Sequence, residues 1–132
     1  MKKIFSLFLI LSLIFSLTSC GTLNFVDIEE FSSEIYTDRD ISSAMEVVLE
    51  LFQGKTDMVL LRISYIGDNK ISDYRDWADR NGADDVIVFL TDYYVSFFSD
   101  TPIQNTASEY ENWKFILVRS DGGEWEIVDQ GY

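Results

Sequence analysis

Apolar and polar residues change rhythm several times along the chain, and each change marks an element. Residues 4–17 are an almost unbroken run of Ile, Leu and Phe, interrupted only by Ser6, Ser12 and Ser16. Further on, Ile41, Ala44, Met45, Val48, Leu51 and Phe52 recur at three- and four-residue spacing, which predicts a helix over residues 38–53. Thr37 stands three residues before Asp40 in an N-cap arrangement, and Gly54 is expected to end the helix with positive φ. Residues 58–66 then alternate as a strand. Val59, Leu61, Ile63 and Tyr65 are expected on one face, with Met58, Leu60, Arg62 and Ser64 on the other. Gly67-Asp68-Asn69 reads as a turn. Ser72 is expected to cap a short helix over residues 73–81, closed by Gly82.

The longest apolar stretch after residue 20 covers residues 85–98. It is β-branched and aromatic on both sides at its start, which predicts a long central strand. Asp92 is its odd member, either a ligand contact or acid in a pocket, or a residue where the strand meets water. Residues 99–109 are polar, contain the only proline and read as a loop. A strand follows from residue 110 or 111 to Arg119, then a hairpin turn at Asp121-Gly122-Gly123 and a last strand over residues 124–129. The elements add up to an α+β domain: a curved antiparallel sheet of about four strands packed on one long and one short helix.

The opening run changes the picture from fold to address. Met1-Lys2-Lys3 is basic, the apolar run falls short of the ~20 residues a spanning helix needs, and small residues close it. Together these describe an export signal. Its exit, Leu17-Thr18-Ser19-Cys20, resembles the bacterial lipobox, in which two small side chains let the backbone enter a peptidase cleft. The Cys20 sulfur would accept a diacylglyceryl group and its freed amine a further acyl chain such as palmitate. Two or three chains hold a protein durably where one does not. Residues 1–19 are thus expected to be a lipoprotein signal peptide, residues 20–36 a lipidated acidic tether and residues 37–132 the folded domain. The expected location is the extracytoplasmic face of the cell membrane, held through acylated Cys20. Phe25, Ile28, Phe31 and Ile35 recur near helical period, so the end of the tether is expected to order against the domain.

Composition then removes several functions. Eight of the ten Lys and Arg and all 23 acidic residues lie after residue 19, a net charge of about −15 against −13 for the whole chain. Such a surface repels phosphate backbones, so no nucleic-acid partner is expected. The chain has no His, and its single Cys is the one in the lipobox. That excludes Ser-His-Asp and Cys-His catalysis, and zinc sites built on His or Cys. An aromatic content of 15% requires a folded core rather than disorder.

From Asp40 onward the chain resembles a family of uncharacterised bacterial lipoproteins related to nuclear-transport-factor-2-like, or cystatin-like, domains. The likeness rests on Asp40-Ile41 with Ala44 and Val48, on residues 82–88, on residues 112–119, on Gly122-Gly123-Glu124-Trp125 and on Gly131-Tyr132. It implies a curved antiparallel sheet wrapped around helices, with a cone-shaped pocket or a dimer face on the concave side. It implies no activity. The Asp100-Thr101-Pro102-Ile103-Gln104-Asn105 connection departs from the Gly-rich loop expected after the long strand.

Three kinds of chemistry are left to weigh. A calcium loop starting at Asp38 fails, because Ser43 and Leu49 stand where Gly and Glu are required. Asp84-Asp85, or Asp121 with Glu124, could at most make an irregular metal site, and no metal or other cofactor is expected. Asp92 with Asp84 or Asp85 could form an acid–base pair if a pocket joined them. Trp113, Trp125, Tyr94 and Tyr132 lie on or beside the strands that would line the concave face; exposed there, with Asp92, they suit a peptide, glycan or apolar ligand, and buried, the reading favoured for any one of them, they are core. The reading is a non-catalytic binding or accessory domain, with a second copy of the chain or a protein or peptide ligand as the partners to consider. The alternatives are a small pocket enzyme using Asp92 or a structural protein that dimerises through its sheet.

Overall fold

A computed structural model describes residues 26–97 and 105–132. Leu17, Thr18, Ser19 and Cys20 lie outside the described residues, as do residues 98–104 of the expected strand end and loop. The chain is α+β. Among the described residues its mixed sheet has five strands in the order β1-β2-β3-β4-β5. These are β1 (Asp27–Ile28), β2 (Met58–Tyr65), β3 (Asp85–Val95), β4 (Ser108–Arg119) and β5 (Glu126–Gly131). Neighbours β2 to β5 are antiparallel, whereas β1 pairs parallel to β2, with Asp27 opposite Arg62 and Ile28 opposite Ile63. The fifth strand comes from residues read as tether. Two residues of strand carry no periodic signal, so only pairing with β2 reveals it.

Helix α1 (Asp38–Gln53) covers one face of the sheet and matches its expected bounds. The reason is local. The Asp40 amide donates to Thr37 Oγ1 at 3.1 Å and the Thr37 amide donates to Asp40 Oδ2 at 3.0 Å, a reciprocal capping box. Gly54 ends the helix at φ −76°, not in the left-handed region, so its lack of a side chain is not what stops the helix. Ile41, Ala44, Met45, Val48 and Phe52 are buried against Ile63, Ile87, Phe89, Tyr93, Val95, Phe115 and Leu117. On the other face Val86, Val88, Ile116 and Val118 pack under Ile71 and Ala78. Alternation along β3 therefore feeds two cores, one on each side of the sheet.

The second core is roofed by a broken helical run: α2 (Asp68–Ile71), a 3₁₀ turn (Ser72–Tyr74) and α3 (Arg75–Arg80). The run starts at Asp68, inside the expected turn, and Ser72 lies within it without making a side-chain cap. Gly82 closes α3 as expected, at φ 62°, with the Ala83 amide donating to Ala78 O at 2.9 Å.

Residues 26–36 pack on the domain in extended form rather than as a helix. The Glu29 amide donates to Ile63 O at 3.1 Å, and Ser33 Oγ donates to Asp68 Oδ1 at 2.6 Å. Tyr36 is buried, and its hydroxyl donates to Val86 O at 2.6 Å. Phe31 reaches the first core, while Ile28 and Ile35 stay exposed.

Candidate functional site

Asp92 stands on β3 between two irregularities. On β2 the register moves from Leu60–Tyr93 to Arg62–Asp92, leaving Leu61 as an extra residue. On β4 it moves from Trp113–Thr91 to Tyr110–Tyr93, so Glu111 and Asn112 crowd opposite Asp92. Such bulges bend a strand and turn its side chains over. That inversion corrects the expected faces of β2: Met58, Leu60 and Ile63 are buried, while Val59 and Leu61 are exposed.

The Asp92 carboxylate holds both bulges. Arg62 Nε donates to Asp92 Oδ2 at 2.7 Å, and the Asn112 amide donates to Asp92 Oδ1 at 2.8 Å. Asn112 has φ 55°, a left-handed conformation that Asn tolerates better than most residues. Arg62 also donates through Nη1 to Glu29 Oε1 at 2.5 Å and through Nη2 to Asn112 Oδ1 at 3.3 Å. The bond from Arg62 holds the Asp92 carboxyl below the usual carboxylate range, against the opposite pull of burial. An acid with both oxygens occupied and a depressed pKa is a poor proton donor near neutral pH. Asp92 is a structural tie across three strands, β2, β3 and β4.

A second arginine works at the other end of β3 and β4. Arg119 donates through Nη1 to Asp40 Oδ1 at 2.8 Å and through Nε to Asp85 Oδ2 at 2.9 Å. Its guanidinium lies 4.4 Å from the Trp125 ring centroid. Hydrogen bonds from Arg119 and then Thr37 lower the Asp40 pKa. Asp84 accepts the Asp121 amide at 2.7 Å. Asp84 and Asp85 lie seven or eight residues from Asp92 along β3, ~23 Å or more at ~3.3 Å per residue. The acid–base pair considered from the sequence is therefore not assembled.

The four aromatic residues on or beside the strands of the expected concave face divide between two faces. Trp125 is 6% exposed, edge-on to Tyr36 at 5.9 Å, and belongs to the first core. Trp113 lies on the same face, at its far end, beside Tyr93 at 6.1 Å, Tyr110 at 5.7 Å and Tyr132 at 5.0 Å. Tyr132 is the exposed rim of that cluster. Tyr94 shares the register parity of Val86 and Val88, so it points to the opposite face, where it is exposed next to Val59. Asp92 lies on that face too. The first face is filled by α1, so among the described residues no concave pocket joins Asp92 to the two tryptophans.

Surface depressions formed by described residues include two. One, of about 170 Å³, lies between α3 and strands β4 and β5, lined by Tyr74, Trp77, Lys114, Ile116, Asp129 and Tyr132. The other, of about 500 Å³, runs between α1 and the β4–β5 connection, lined by Ser43, Glu46, Val47, Glu50, Gly123, Glu124 and Trp125. Reading α1 as a packing helix missed this groove. Its only sequence signal is the spacing of Ser43, Glu46, Val47 and Glu50, which makes one stripe along the helix. Among the described residues, no three acidic side chains are placed to hold a metal ion. No described helix is long and apolar enough to cross a membrane. No family model, curated protein or solved structure matches the chain.

Proposed function

We propose that the chain is a lipid-anchored, non-catalytic binding or accessory module on the extracytoplasmic face of a cell membrane. The observation that carries this is Leu17-Thr18-Ser19-Cys20, which places the only cysteine directly after a basic start and an apolar run. The non-catalytic half is supported by the fate of the candidate acids. Asp40, Asp85 and Asp92 are committed to arginines, and Asp84 accepts the backbone amide of Asp121. The finer likeness to cystatin-like or nuclear-transport-factor-2-like domains belongs to the proposal. It is supported by one long helix laid across the antiparallel strands β2 to β5.

The packing of residues 26–36 shortens the leash. Counted from Cys20 to Val26, six residue steps reach at most ~20 Å, against ~55 Å for sixteen extended residues. An acylated Cys20 would thus hold the domain close to the headgroups. The test is intact mass and membrane partition of the expressed protein beside a Cys20→Ala variant. Gain of acyl mass and membrane partition by the wild type alone is the expected result. Equal solubility of both forms at the same processed length would end the anchor reading.

A homodimer formed through the sheet is the second reading, favoured by Val59, Leu61 and Tyr94. These three are exposed on the strand ends that α2 and α3 do not cover. Sedimentation of wild type against Tyr94→Arg distinguishes it: a dimer that the variant splits supports this reading, and two monomers reject it.

A further inference from the structure

The depression between α3 and strands β4 and β5 combines aromatic walls with charged groups that nothing in the fold neutralises. Tyr74, Trp77 and Tyr132 line it together with Ile116. Two of those rings are braced by residues that do not line it: Arg80 lies over Trp77 at 4.9 Å, and Trp113 meets Tyr132 edge-on at 5.0 Å. The walls are thus set before anything binds, which lowers the entropy lost in ordering them. Lys114 and Asp129 line the same depression from adjacent strands. Register sets them diagonally, with Lys114 opposite Gly131 and Asp129 opposite Ile116. A Cβ at Gly131 would meet nothing within 4 Å, so the space beside Lys114 is open. Lys114 is half-buried, yet neither its side chain nor that of Asp129 makes an ion pair or hydrogen bond with another described residue.

We infer that this depression holds one neutral pyranose ring of a glycan, its flat apolar face against the aromatic walls and its hydroxyls bridging Lys114 and Asp129. At about 170 Å³ the space falls below the ~300 Å³ at which sites for drug-sized ligands begin, so it takes a single small ring. It is open to solvent, which suits one unit of a longer chain. A hydroxyl both accepts and donates, so hydroxyls on one ring can accept from Lys114 Nζ and donate to the Asp129 carboxylate. Hydrogen bonds to charged groups are the stronger kind. Other ligands meet less of the site. A peptide side chain with one charge answers Lys114 or Asp129 and leaves the other alone. A free amino acid carries both charges on one carbon, whereas diagonal register spaces the two Cα atoms by roughly 7–8 Å, a span better matched by hydroxyls spread around a ring. The inference deepens the binding-module reading and rests on it, but not on the anchor. A failed Cys20→Ala experiment would leave it standing.

The test uses the full chain in mild detergent, with the indole N–H resonances of Trp77, Trp113 and Trp125 followed by NMR. The resonances lost in Trp77→Phe and Trp113→Phe assign all three. The probes are cellotriose and tri-N-acetylchitotriose, both neutral and β-linked, titrated beside free leucine and a Gly-Phe-Gly peptide blocked at both ends. The Trp77 resonance is expected to move and saturate with a trisaccharide while that of Trp125, on the opposite face, stays in place. Tyr132→Ala removes an exposed ring and is expected to weaken binding about tenfold, and Lys114→Met about fivefold. Tyr132 is 73% exposed, so the fold should survive its loss. A Trp77 resonance that none of the four probes moves would overturn the site, as would unchanged affinity in both variants. Movement with leucine or the peptide alone would overturn the glycan assignment and leave the binding-module reading in place.

Discussion

Arg62 and Arg119 are the same chemical device used in two ways. Each guanidinium bridges two carboxylates drawn from distant parts of the chain. Arg119 joins layers: it ties the first turn of α1, through Asp40, to the start of β3, through Asp85. Its side chain is 13% exposed and covers Trp125. Arg62 works within the sheet, tying Glu29 beyond β1 to Asp92 on β3, next to two bulges. It is more open, at 29%. The comparison teaches that ionic groups in an acidic domain need not announce a ligand. Where a carboxylate meets an arginine and a backbone amide, the local fold accounts for it fully.

The difference in exposure ranks the consequences of breaking each centre. Arg119→Met leaves Asp40 and Asp85 facing each other without a cation and should destabilise the domain most, by about 2–3 kcal/mol. Chemical denaturation with unchanged m-value checks it, and a loss below that for Arg62→Met would reverse the ranking. Arg62→Met should cost about 1–2 kcal/mol, because water reaches that pair more easily. Hydrogen exchange should show the loss concentrated in β1 and at the bulges around Leu61 and Asn112. Spreading of the effect into α1 would contradict the in-plane role.

Acid titration gives a smaller, graded effect. Asp40, Asp68 and Asp92 all have pKa values lowered in the folded state, through bonds from Arg119, Ser33 and Arg62 respectively. A depressed folded-state pKa stabilises above the unfolded value, near ~4, and that stabilisation is lost as pH falls through the folded value. Asp92→Asn should therefore flatten the acid limb of the stability curve while leaving the alkaline limb alone. The alkaline limb belongs to Tyr36 and Tyr65, whose pKa values are raised chiefly by burial. Their contribution is complete below pH ~10 and is lost as pH rises through the folded values. Tyr65→Phe should blunt that limb and, by removing its hydrogen bond to Asp68, a smaller part of the acid limb as well. The smallest change belongs to Glu46→Gln, which should alter stability by no more than about 0.5 kcal/mol and tend to raise it by easing repulsion with Glu50.

The sequence by itself determined what depends on neighbours a few residues away. Thr37 and Asp40 set the start of α1, the apolar stripe from Ile41 to Phe52 set its buried face, and Gly82 set the close of α3. The central position of β3 followed from its unbroken apolar character, and the turn at Asp121-Gly122 from residues that tolerate φ values of 54° and 64°. Tertiary structure decided everything that needed a partner distant in sequence. Leu61 inverts the face of β2 because a bulge forms beside Asp92, and nothing in the alternation of residues 58–66 foretells it. β1 exists because β2 offers an edge to two residues with no rhythm of their own. Trp125 and Tyr94 part company because register, not residue type, assigns strand faces. The acidic groove arises only when the α1 stripe meets Glu124 and Trp125, more than seventy residues later. Local hydrogen bonds and periodicity are written in short windows of sequence, whereas register and juxtaposition are settled only when the sheet closes.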